Sequence, residues 1–64
     1  MIYLDLPPKF TTEERTACKW LEDMGYRGWL VDLADKTVFT EQFGRQFPSL
    51  VAFATFMEWK RANL

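Results

Sequence analysis

The chain contains no histidine and a single cysteine, Cys18. Without imidazole it lacks the usual general base at neutral pH and the commonest metal ligand. One cysteine excludes an intramolecular disulfide and a cysteine-rich zinc site. A lone thiol with no histidine also lacks the partner that activates catalytic cysteines, so Cys18 reads as a small core residue at the edge of a helical stripe. Glycine and proline are scarce, three of each in 64 residues, and form no linker or low-complexity stretch. There is no basic excess either. Eight Lys and Arg stand against nine Asp and Glu, a net charge of −1, whereas general nucleic-acid affinity comes largely from phosphate neutralisation. No apolar run approaches the roughly 18 residues a membrane span needs, and no basic segment leads into an apolar one at the N-terminus. A cytoplasmic location and no membrane partner are the expectation.

What is present is apolar and aromatic. Hydrophobic residues make up 48% of the chain and aromatics 17%, a content disordered chains lack. The length allows one domain, residues 1–64, whose small core is marginal on its own. Large side chains are one remedy and self-association is another, so a homodimer is one expected state.

Residues 2–6 are β-prone and stopped by Pro7-Pro8, which predicts a first strand. Thr11 followed by Glu14 fits a capping box opening a helix that runs to about Met24. Ala17, Trp20, Leu21 and Met24 share its apolar face, and Gly25 suits a left-handed helix end on which Tyr26 packs back toward Leu21. Residues 28–33 read as a strand with Trp29, Val31 and Leu33 on one face. Residues 34–37 form the turn, and Val38 to about Phe43 forms the returning strand, with a helical alternative for 40–43. Gly44 breaks this strand. Phe47-Pro48-Ser49 then leads into a helix from about Leu50 to Ala62, with Ser49 as N-cap or Pro48 in the first turn and Lys60-Arg61 at the end. The expected fold is α+β in the order β-α-β-β-α, two helices packed on a small three-stranded, mainly antiparallel sheet.

The last helix carries two apolar stripes. Leu50, Phe53, Ala54 and Met57 form the one the core takes. Ala52, Phe56 and Trp59 form a second, more than 90° away, where an ordinary surface helix has a single stripe of about 100°. Either the helix is buried on both sides or the second stripe is an interface. The expected partner-binding set is Phe56, Trp59 and Ala52, with Lys60 and Asn63 beside them.

The hairpin offers a rival. Arg27, Trp29, Lys36 and Arg45, with Tyr26 and Phe39, interleave basic and aromatic side chains that would stack bases and touch phosphates. Tyr26-Arg27-Gly28 leading into strands, and Phe47-Pro48-Ser49 opening a helix that contains Ala54, resemble the layout of the AP2-type DNA-binding domain. The resemblance spans at most half the chain and lacks that family's dense arginines, while Asp32, Asp35 and Glu41 stand where phosphates would approach. It implies a shared ββα layout and nucleic acid as the alternative partner.

The carboxylates have local explanations. Glu13-Glu14 and Glu22-Asp23 lie at the ends of the first helix, Asp32 and Asp35 flank a turn, and Lys and Arg are interspersed among them. The expectation is therefore a non-enzymatic protein-interaction module with no cofactor and no metal. Its size suits a regulator or inhibitor of the kind found among small bacterial and phage proteins.

Overall fold

The computed structural model describes residues 6–63. Five elements follow in the order α1 (Thr12–Asp23), β1 (Trp29–Val31), β2 (Val38–Thr40), β3 (Arg45–Phe47) and α2 (Leu50–Ala62). This is an α+β fold with two helices and one antiparallel sheet of order β1-β2-β3.

α1 opens as its sequence dictates. The Glu14 amide donates to Thr11 Oγ1 (3.1 Å), and the Thr11 amide donates to Glu14 Oε1 (2.7 Å), completing a capping box. Its end is equally local. Gly25 takes φ +78°, a conformation that favours glycine. The Gly25 and Tyr26 amides then donate to the carbonyls of Glu22 (3.0 Å) and Leu21 (3.2 Å), the paired bonds of a Schellman end. Tyr26 folds back onto Trp20 at 5.8 Å between ring centres.

The sheet departs from expectation in its third strand. β3 follows the Glu41–Gly44 turn, where the Gly44 amide donates to the Glu41 carbonyl at 3.3 Å, and pairs Phe47 opposite Val38. Residues 45–47 are thus a strand and not merely an approach to α2, because Phe47 must enter the core on the same face as Val38. The strand expected over 2–6 lies outside the described residues, apart from Leu6, which is buried. β2 ends at Thr40, and 41–44 is a turn, neither strand nor helix. β1 ends at Val31, which leaves Leu33 exposed in the turn and not aligned with Trp29.

That turn is built by carboxylates. Asp32 Oδ1 accepts from the Ala34 amide (2.9 Å), and Asp35 Oδ1 accepts from the Thr37 amide (3.0 Å) and hydroxyl (2.6 Å). Both aspartates thereby have structural partners.

Side-chain alternation directs Trp29, Val38, Thr40 and Phe47 toward the helices. Cys18 and Leu21 meet them from α1, and Leu50, Phe53 and Met57 from α2, while Leu6 and Phe10 close one side. The buried face of α1 centres on Glu14, Cys18 and Leu21. The expected stripe is rotated, and Ala17 and Trp20 are only half-buried. Cys18 is wholly buried, and burial pushes its thiol up to about 11, with the Glu22 charge adding to the shift.

Glu14 can join a buried face because its charge is met there. Lys36 Nζ, reaching in from the β1–β2 turn, lies 3.1 Å from Glu14 Oε1 and 5.4 Å above the Phe10 ring. Burial pushes the Glu14 carboxyl up, but the Thr11 amide, the Lys36 ammonium and the Thr11 hydroxyl outweigh it and hold the group below its ordinary 4.5. A carboxylate with a depressed folded value stabilises the fold fully above its unfolded value. That contribution is lost as pH falls through the folded value. Glu14→Gln is therefore expected to cost on the order of 1 kcal/mol at pH 7. The difference from wild type should shrink below about pH 4.5, as read from urea unfolding at a series of pH values.

Candidate interaction surface

α2 fixes which apolar groups remain at the surface. Ser49 caps it by accepting from the Ala52 amide at 3.1 Å, which sets the helical phase from Leu50 onward. Leu50, Phe53 and Met57 then point into the core, and Ala54 is half-buried beside them. At 100° per residue, Val51, Thr55 and Trp59 fall on successive turns of the opposite side and form a ridge. All three are exposed, Trp59 by 62%.

The second stripe expected from the sequence divides in two. Phe56 is half-buried: the Phe43 ring meets it edge-on at 5.4 Å and Phe47 at 5.1 Å. Two cations cover this cluster. Arg45 lies 4.6 Å from the Phe47 ring centre and 5.0 Å from that of Phe56, and Lys60 lies 5.2 Å from Phe43 and 5.8 Å from Phe56. Ala52 is half-buried, and Asn63 caps the helix by donating from Nδ2 to the Trp59 carbonyl at 2.8 Å. Packing inside the fold thus engages Phe56 and Lys60, whereas Trp59 keeps its indole in water.

Between α1 and α2 runs a groove of about 410 Å³. Ala17, Trp20, Val51 and Ala54 give it an apolar lining, with Thr12, Thr16 and Thr55 alongside. The charged side chains that line it, Glu13 and Glu58, are both acidic. The groove adjoins the ridge because Val51 and Thr55 belong to both.

The four residues of the hairpin reading do not converge on one surface. Trp29 is buried, donates its indole N–H to the Tyr26 carbonyl (3.0 Å) and packs on Phe53 at 5.8 Å. Arg27 is exposed near Trp29, and both line a second hollow of about 290 Å³ beside the end of α1. Lys36 sits at the opposite end of the hairpin, on Glu14, and Arg45 lies over Phe47 and Phe56. The outward face of the sheet presents Leu30 opposite Phe39 and Phe39 opposite Gln46. Leu30 is 68% exposed and Phe39 46%. Of this pair the sequence marks Phe39, as a base-stacking aromatic, but not Leu30, although strand alternation with Trp29 facing inward assigns both to the outer face. Sequence reasoning also missed the groove residues Trp20, Val51 and Thr55.

Among the described residues no group of three or more Cys, Asp or Glu side chains is placed to hold a metal ion. No helix among them is long and apolar enough to cross a membrane. No protein-family model, curated protein or solved structure matches the chain.

Proposed function

We propose that this chain is a protein-interaction module, a regulator or inhibitor without catalytic activity of its own, that docks on another protein through the α1–α2 face. The carrying observation is Trp59. It stays 62% exposed, while Trp29 is buried and Trp20 half-buried. An exposed tryptophan at the end of a helical ridge, beside an apolar groove, has the anchor chemistry of interaction hot spots. Action in the cytoplasm is part of this reading, and the unpaired, buried Cys18 is compatible with a reducing compartment. A second copy of the chain is the competing occupant of this face, and concentration-dependent sedimentation would reveal it.

Thr55→Arg tests the reading. Thr55 is exposed at the centre of the ridge, and arginine is a good helix former, so the fold is expected to melt as wild type does. A positive charge there, pressed against an apolar contact surface, should weaken partner binding tenfold or more, about 1.4 kcal/mol. Unchanged affinity in the folded variant would remove the ridge from the interface.

A further inference from the structure

The groove also has a chemical preference, and this inference rests on the protein-docking reading above. Its lining from α2, Val51, Ala54 and Glu58, and from α1, Glu13, Ala17 and Trp20, repeats at helical spacing on both walls. Two rows of this kind offer ridges and grooves into which a third helix packs, and the alanines permit close approach. Both charges on the lining are carboxylates, and neither Glu13 nor Glu58 has an ion-pair partner among the described residues. A partner with acidic flanks would meet repulsion there, whereas lysines or arginines would find complementary charge.

We infer that the occupant is an amphipathic helix whose apolar stripe seats on Ala17, Trp20, Val51 and Ala54 and whose basic flanks meet Glu13 and Glu58. The direct test uses synthetic 18-residue helical peptides with one leucine stripe and a polar face of lysine in one and glutamate in the other. A third peptide has the composition of the lysine version with the stripe scrambled. Each is titrated into isotope-labelled protein while backbone amide shifts are followed. The lysine peptide should move the amides of Ala17, Trp20, Val51 and Ala54 and bind at least tenfold more tightly than either other peptide. Its affinity should fall between low and high salt. Glu58→Lys, at an exposed position, should narrow its advantage over the glutamate peptide by about threefold to fivefold. The double variant with Glu13→Lys should narrow it further. Equal binding of the glutamate peptide at the same amides would overturn the basic preference while leaving the docking face in place. Equal binding of the scrambled peptide would reduce the effect to charge alone and overturn the helix. If neither striped peptide moves these amides, the docking face falls with the inference.

Discussion

Phe53→Ala is expected to lower the urea midpoint sharply, removing a large part of the fold's stability at 25 °C. Phe53 is 2% exposed and stands between Trp29 and Phe47, at 5.8 Å and 5.1 Å between ring centres. It joins α2 to both outer strands of the sheet, so its loss opens a cavity where three elements meet. Truncating a buried phenylalanine costs about 3–5 kcal/mol. Domains are stabilised by roughly 0.05–0.15 kcal/mol per residue, so a chain of 64 residues has a total of the same order. Far-ultraviolet circular dichroism through a urea series measures the outcome. A cooperative transition within about 1 kcal/mol of wild type would mean that Phe53 is not central to the core.

Trp59→Ala should do the reverse, leaving the fold and removing the interaction. With its indole in water, Trp59 contributes little to the core, and its replacement should change stability by less than about 0.5 kcal/mol. Its carbonyl still accepts from Asn63, so the helix end is unaffected by the side chain. If the indole anchors a partner, truncation costs about 2 kcal/mol or more of binding, at least thirtyfold in Kd. The neighbouring Phe56→Ala gives the contrast. It should lower stability, because Phe56 packs on Phe43 and Phe47 beneath Arg45 and Lys60. Calorimetric melting and a binding titration on the same preparations separate the two residues. A large loss of stability in Trp59→Ala, or undiminished binding, would contradict the assignment.

The difference between these aromatics shows what the sequence could convey. The bounds of α1 and α2 were legible because their signals are local: Thr11 with Glu14, Gly25 after Met24, and Ser49 before Leu50 each act within a turn of helix. β3 was not. Three residues are too few to display a period of two, and Gly44 and Pro48 on either side read as punctuation. The rotation of α1 was equally hidden, since the burial of Glu14 depends on Lys36 arriving from the hairpin turn. For the site, helical spacing showed that α2 carries surplus apolar surface. It could not divide that surplus, because Phe43 and Phe47 reach Phe56 from the β2–β3 turn and from β3. Cys18 was legible as a small core residue, but only as the partly buried edge of the stripe, whereas it lies wholly buried on the rotated face.

The most direct test of the docking face is site-specific photo-cross-linking in living cells of the native host. A benzophenone amino acid is placed at Thr55, on the exposed ridge of α2, and in a second strain at Gln46, on the outer face of the sheet. The account predicts a discrete covalent adduct from position 55, heavier than the chain by the mass of another protein and lost in the Trp59→Ala background, with none from position 46. Adducts from position 46 and none from position 55 would move the interface to Leu30 and Phe39 and contradict the account.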